Sequence, residues 1–346
     1  MSISRRDLLK LAGVAGAATV APGLVRAQEI EKKDVSIAVG GQALIYYLPL
    51  SIANINGYFK DEGLDAKIID FAGGSKALQA VVGGSADVVS GAFEHTISLQ
   101  SKGQAYRAFA QQGRAPMIVL VVSNKTMADY KTPADLKGKK IGVTAPGSST
   151  NMMASFFLAQ HGLKPSDVSF IGVGAGAGAI TAMRTGQIDA MANLDPVIST
   201  LVKEDAVKVI ADTRTLKDTK QIFGGNMPSG CLYTSQEFID KNPNTTQALA
   251  NAIVRADKWI QAASPDEIAA VVPKGYLLGD PDLYKLALKG NKEALSPDGM
   301  VPEDGPQTAL NALAAFIANF PKDKIDISKV WTNDFVIKAN KKYPNA

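Results

Sequence analysis

Two short runs carry the side chains and spacing best suited to chemistry: Pro146, Gly147, Ser148, Ser149, Thr150, and Gly73, Gly74, Ser75. Each follows an apolar, strand-like stretch and precedes a helix-compatible one. At such a turn the first backbone N–H groups of the helix lack intrahelical partners and face the positive end of its dipole. Together with the hydroxyls they suit an anion or a carbonyl oxygen. Around neither turn does the sequence supply a nucleophile with a base, or a spaced set of metal ligands. The expectation is a chain that holds a small molecule, with no catalytic residue, no metal and no cofactor. The alternating glycines Gly172, Gly174, Gly176 and Gly178 do not have the spacing of a dinucleotide loop. His161, in Gln160, His161, Gly162, sits where a helix C-terminus welcomes an imidazole and has no cluster of ligands beside it.

The elements that must position these turns alternate. Val35–Val39, Leu64–Phe71, Ala86–Ser90 and Tyr106–Gln111 read as strands with helix-compatible segments between them, among them Pro49–Ile55 and Lys76–Val82. A second set follows, with Lys140–Val143, Val168–Val173, Ala190–Asn193 and Val207–Ile210 as strands. Such alternation predicts mostly parallel sheets covered on both faces, and two sets predict two α/β lobes. The apolar segments Met117–Ser123 and Gly230–Ser235 are expected to join them, with residues 31–120 and 233–346 forming the first lobe and 121–232 the second. The C-terminal part reads as helices opened by Pro, Ser, Asp or Asn, at 244–262, 265–272, 281–295 and 306–320. The lobes also share a phrase: a helix stops at glycine and an aspartate starts the next strand, at Gly83–Asp87 and again at Gly186–Asp189. Asp87 and Asp189 are expected to accept backbone N–H groups there rather than to catalyse.

The N-terminus reads as an export signal. Ser4, Arg5, Arg6, Asp7, Leu8, Leu9, Lys10 precede an Ala/Gly-rich apolar run to Val25, and Val25 and Ala27 fit a cleavage site after Ala27. The paired arginines resemble the twin-arginine (Tat) pattern, with Leu8 where that pattern usually has Phe; a Sec signal is the other reading. The run is short and broken by Pro22, which disfavours a membrane-spanning anchor of about 20 apolar residues. The chain of 346 residues has 37 Lys and Arg against 33 Asp and Glu. Without Arg5, Arg6, Lys10, Arg26 and Asp7 these become 33 and 32, so the processed chain is nearly neutral and offers no argument for a nucleic acid partner. Cys231 is the sole cysteine, which excludes an intrachain disulfide, and its apolar neighbours suit a buried filler.

The phrases Asn56–Leu64 (NGYFKDEGL), Leu78–Asp87, Leu136–Val143 (LKGKKIGV), Gly147–Thr150 and Gly186–Ala190 resemble those of substrate-binding proteins of ABC importers, in the nitrate, taurine, alkanesulfonate and thiamine-precursor group called NMT1/THI5-like. The matching phrases lie within residues 35–240. The resemblance implies a two-lobe periplasmic binding protein fold (type II), with a ligand held between the C-terminal ends of the two sheets. It also implies a monomer in the periplasm that delivers its ligand to an inner-membrane permease with a cytoplasmic ATPase. Pyrimidine or thiamine-precursor binding, a pyrimidine-synthesis enzyme and a periplasmic sensor subunit are the alternatives on the same fold.

Residues that follow strands should line that cleft. After the first strand stand Gln42, Tyr46 and Tyr47, which otherwise serve local packing; after the second, Gly74 and Ser75. After the third come Phe93, Glu94, His95 and Thr96, alternatively a solvated helix start. The other lobe contributes Ser148, Ser149 and Thr150, then Asn193 and Asp195, the last also placed to cap a helix before Pro196. Arg114, near the expected hinge, is the candidate positive charge, or else a surface arginine. The anion-recognising end of a sulfonate or carboxylate is expected between Ser148, Ser149 and Thr150 on one side and Gly74, Ser75 and Arg114 on the other. Glu94 and Asp195 would also suit an amine.

Overall fold

A computed structural model describes residues 29–345; the export segment 1–27 lies outside the described residues. The strands are β1 Asp34–Val39, β2 Asp65–Asp70, β3 Val88–Ala92, β4 Tyr106–Gln111, β5 Val119–Ser123, β6 Lys140–Val143, β7 Ser169–Gly172, β8 Ala190–Asn193, β9 Val207–Asp212 and β10 Gly230–Ser235. They form two five-stranded sheets of the same design, ordered β2-β1-β3-β10-β4 and β7-β6-β8-β5-β9. In the first, β1 pairs in parallel with β2 and β3, while β10 runs antiparallel to both β3 and β4. In the second, β6 pairs in parallel with β7 and β8, while β5 runs antiparallel to β8 and β9. Four strands of each sheet therefore share one direction, and the fifth opposes them.

The opposing strands are the informative ones. Met117–Ser123 and Gly230–Ser235, expected to join the lobes, lie largely inside the sheets as β5 and β10, each fully buried except at the end of β10. Each is the first strand the chain makes after crossing from the other sheet, so each enters from the opposite end. Because both its faces are covered, such a strand reads as an unbroken apolar run. The actual crossings are residues 112–118 and 213–229.

The repeated aspartates work alike. Asp87 accepts the Ser36 N–H at 2.9 Å, and Asp189 accepts the Lys140 N–H at 2.9 Å, so each ties the start of its strand to the strand beside it. Cys231 is buried and free. The helices after β10 span Gln236–Lys241, Pro243–Ala262, Pro265–Val271, Pro281–Asn291, Gly305–Phe316 and Asp334–Lys342. The helix expected to run to residue 320 stops at Phe316, and Asn319 beyond it has φ 56°, outside the helical region. Pro243–Ala262 packs against the helix Leu48–Ile55 and against Asp334–Lys342, which returns the C-terminal part to the first sheet. No helix among the described residues is long and apolar enough to cross a membrane.

Candidate functional site

The two Gly/Ser turns do open helices, Gly74–Val82 and Ser149–Gln160, and they face each other. Ser75 donates its N–H to Ser148 Oγ at 3.0 Å, its own Oγ donates to the Pro146 carbonyl at 2.8 Å, and the two hydroxyls lie 3.2 Å apart. The donors expected to hold an anion are thus joined to one another, and the two sheets meet there. A second bridge lies beside the first. His95 Nε2 is 3.2 Å from the Gly147 carbonyl and Nδ1 is 2.9 Å from the Tyr233 hydroxyl. Nε2–H donating to Gly147 with Nδ1 accepting from Tyr233 satisfies a neutral ring at both nitrogens. Burial holds the His95 pKa down at about 4, so that neutral ring is the form present near neutral pH. The Ile45 N–H adds a third bridge to the Asp195 carbonyl, 3.1 Å away.

Behind these bridges lies a narrow apolar pocket with an enclosed volume of about 20 Å³, room for about one water molecule, that opens to solvent at its mouth. Elements of both sheets line it: Tyr46 and Glu94 from the first, Ser149, Met152, Met153 and Phe156 from the second. The crossing segments add Pro116, Ile118 and Met227, and the helix Gly305–Phe316 adds Leu313 and Phe316. Phe156 and Phe223 stack, with ring centroids 4.8 Å apart. No lysine, arginine or histidine lines the pocket among the described residues. Its one acid is Glu94, the first residue of the helix Glu94–Gln100 and only 5% exposed. Burial pushes its carboxyl up to about 7, opposed only by a hydrogen bond from its own backbone N–H. Burial also raises the Tyr46 phenol well above its ordinary range, with the Glu94 charge adding to the shift.

Of the residues proposed from the sequence, Tyr46, Glu94 and Ser149 meet in the pocket, while Ser75, His95 and Ser148 form the bridges in front of it and Gly74 lies beside His95 and Ser148 without a bond to either. Tyr47 is buried edge-on against Tyr46, with centroids 4.7 Å apart. Phe93 is buried in the core, and Thr96 donates back to the Phe93 carbonyl at 2.8 Å, a local helix-start bond. Gln42 is tied by its backbone, its N–H to Asp70 and its carbonyl to the Ser51 hydroxyl.

Four more of the proposed residues are engaged elsewhere. Arg114 turns to the far end of the chain, its Nε donating to the Glu293 carbonyl at 2.8 Å. Thr150 packs inward and bonds the Thr144 N–H and hydroxyl at 3.1 and 2.9 Å. Asn193 donates to the Gly174 carbonyl and accepts the Leu194 N–H, which fixes the end of β8. Asp195 accepts from Ser199 N and Oγ at 2.8 and 2.7 Å, from Asn291 at 2.8 Å and from Arg214 at 3.3 Å, a helix-capping and ion-pairing arrangement. The pocket wall of Met152, Met153 and Phe156 was missed. Its only trace in the sequence is an apolar helical face, which is indistinguishable from core packing.

Two sheets of matched order, bridged across a crevice with a pocket between them, define a two-lobe α/β binding protein. Residues 30–273 match the model of the NMT1-like family, and the chain belongs to that family. Residues 2–22 match the signal sequence of the twin-arginine translocation pathway, so this is an exported, periplasmic protein. A solved structure of a Bordetella bronchiseptica RB50 protein is 70% identical, with TM-score 0.91, over 92% of this chain and 100% of that one. The alkanesulfonate-binding protein SsuA of Xanthomonas axonopodis pv. citri, bound to MOPS, aligns with TM-score 0.66 at 19% identity, over 88% of this chain and 100% of its own, and shares the fold. By sequence the chain is 24% identical to YtlA of Bacillus subtilis (strain 168), whose name describes a binding protein, over 75% of this chain and 76% of that one. It is also 25% identical to a 4-amino-5-hydroxymethyl-2-methylpyrimidine phosphate synthase of Candida albicans (strain WO-1), over 66% and 67% of the two chains. The fold is that of the periplasmic binding proteins.

Proposed function

We propose that this protein is the extracytoplasmic solute-binding component of an ABC importer, capturing a small organic solute by lobe closure and handing it to the permease. The observation that carries the reading is the pocket itself, whose wall is assembled from both sheets and is complete only when they are together. A solute that touches both walls lowers the free energy of the closed arrangement more than the open one, and a permease can then recognise the closed surface. The bridges of Ser75 to Ser148 and of His95 to Gly147 are contacts that the closed arrangement has and a parted one lacks.

An organic anion, a sulfonate or a carboxylate, is supported as cargo by the SsuA likeness. Binding without turnover is supported by the binding-protein relatives and by the chemistry of the pocket, where a single acid stands among methionines and aromatic rings with no nucleophile beside it. The synthase relative makes turnover the opposing outcome. Native mass spectrometry of protein purified from its own host should reveal one bound small molecule on a monomer. Recovery of that molecule chemically altered after incubation would reject the reading in favour of an enzyme. Co-purification with a receptor kinase instead of a permease would reject it in favour of a sensor.

A further inference from the structure

We propose that Phe223 sets the size of solute the pocket admits, its ring filling the solute's place until the helix that carries it, Leu216–Phe223, swings aside on Gly224 and Gly225. This rests on reading the chain as a solute-binding component and specifies how its pocket is opened and sized.

The enclosed space is about 20 Å³, room for one water molecule, whereas sites for small molecules commonly measure about 300–1,000 Å³. Some wall must yield. Holding the two sheets farther apart would make room only by breaking the Ser75–Ser148 and His95–Gly147 bridges that closure makes. Most of the lining is fixed. Tyr46, Glu94, Met153 and Leu313 are buried, and Thr213 holds Ile118 by donating its N–H to the Ile118 carbonyl at 3.0 Å and accepting the Ile118 N–H at 2.9 Å. Met152 and Phe316 are half-buried but stand on the helices Ser149–Gln160 and Gly305–Phe316, which pack against each other.

The helix Leu216–Phe223 is tied down least. Thr219 is its only buried residue, and Leu216, Ile222 and Phe223 lie half-buried against the core. Its bonds to other elements are at exposed positions, from the Leu216 N–H to Glu293 Oε1 at 2.9 Å and from Gln160 Nε2 to the Ile222 carbonyl at 2.7 Å. Few buried contacts and exposed bonds mark a segment that can open on its own. Its C-terminal end is built to turn. Gly224 has φ 78°, a left-handed conformation that glycine holds without strain, and Gly225 follows. The chain is fixed again at Asn226, whose Nδ2 donates to both carboxylate oxygens of Asp304 at 2.9 Å, and at buried Met227 and Pro228.

What the helix carries into the pocket is a plug. The Phe223 ring lies against Phe156 of the other wall with 4.8 Å between centroids and 15° between planes. Swinging the helix outward withdraws that ring and leaves Phe156 as one face of a slot of the same width. A part of the solute no larger than the ring then takes its place, and the residue that stops the slot when empty also limits what fills it.

The test places para-fluorophenylalanine at position 223 of the processed chain, which marks the ring and keeps its shape. The fluorine resonance should report exchange between a shielded and a solvent-exposed state, and a soluble paramagnetic agent should broaden it while sparing the same label at buried Phe157. Toluene, a cavity probe without polar groups, should bind Phe223→Ala about tenfold or more tightly than the parent, because no ring has to be expelled. Phe223→Leu, apolar but without the ring, should fall between the two and serves if the alanine variant does not fold. Small-angle scattering should give both variants the parent's radius of gyration. A single narrow resonance protected from the paramagnetic agent would overturn the gate, and a larger radius would overturn it by making the stack a latch between lobes. Equal or absent toluene binding in the parent and the folded variants would overturn Phe223 as the group that sets the size. None of these readouts uses the natural cargo, so each can fail while native mass spectrometry still finds a bound solute.

Discussion

His95 and Gly147 belong to different sheets, and the 3.2 Å contact from the imidazole Nε2 to the Gly147 carbonyl makes the third strand's helix a latch on the opposite lobe. The ring is held on its other side by Tyr233 of β10, so it cannot turn away without abandoning a buried hydroxyl. His95→Ala should therefore favour the parted arrangement. Small-angle scattering of the ligand-free variant should give a larger radius of gyration than the parent, and ligand affinity should drop by about tenfold, the worth of a hydrogen bond near 1 kcal/mol and its desolvation cost together. An unchanged radius and affinity would mean that the Ser75–Ser148 and Ile45–Asp195 bridges hold the lobes without it.

The pH dependence of stability should show Glu94 and His95 opposing each other. The folded pKa of His95 is depressed from 6.5 to about 4, so protons bind the unfolded chain preferentially in that window and stability is lost as pH falls through it. The folded pKa of Glu94 is raised from 4.5 to about 7, so its unfolded form releases the proton first and stability is lost as pH rises through that window. Between about 4.5 and 6.5 the two slopes have opposite sign. Glu94→Gln should stabilise the unliganded protein above about pH 7 by up to about 3 kcal/mol, and should steepen the remaining loss toward acid. Denaturant midpoints across that range test both signs.

Much of the scaffold was legible in the sequence because alternation of apolar runs with helix-compatible segments survives tertiary context, as Lys140–Val143 and Ala190–Asn193 show. What was not legible was the direction of the two buried strands, since an apolar run such as Val119–Ser123 has no feature that distinguishes a linker from a strand entered from the far end. The site divides in the same way. Tyr46, Glu94 and Ser149 were reachable because a strand end or a helix start fixes them locally. The Arg114 partner was not legible because its carbonyl, on Glu293, lies 179 residues away. The Leu313 and Phe316 wall arrives from the C-terminal helices, and no local pattern ties it to the crevice.

The export route can be checked directly. The paired Arg5 and Arg6 fall within the matched twin-arginine signal at residues 2–22. Replacing both by Lys should abolish appearance in the periplasm, and N-terminal sequencing of the exported parent should begin at Gln28, after Val25 and Ala27 at the cleavage positions. Export that survives the double replacement would assign the signal to the Sec route.

Asp257 is a stabilisation target outside the site. Both of its carboxyl oxygens are buried without a partner on the helix Pro243–Ala262, and burial, reinforced by the Asp298 charge, raises its pKa well above the carboxylate range. Asp257→Asn should raise stability near neutral pH by about 1–3 kcal/mol, because it removes the ionisable group and keeps the shape. Ligand affinity should not change. A fall in the melting temperature would mean that the protonated acid donates a bond that the amide cannot replace.

Asp195 and Arg114 were both proposed to touch the ligand, and their variants should now separate structure from binding. Asp195 is 1% exposed and gathers Ser199, Asn291 and Arg214, while Arg214 keeps a second carboxylate, Asp212, within 2.6 Å. Removing one member of a buried ion pair usually costs about 3–5 kcal/mol. The remaining Asp212 partner places Asp195→Ala near the lower end, about 3 kcal/mol. Arg114→Ala removes a single, partly exposed bond to the Glu293 carbonyl and should cost no more than about 1 kcal/mol. Neither change should lower ligand affinity beyond the loss of folded protein, as measured by calorimetry on the folded fraction. A selective drop in affinity for Arg114→Ala would return that arginine to the site and require it to leave Glu293 when the lobes part.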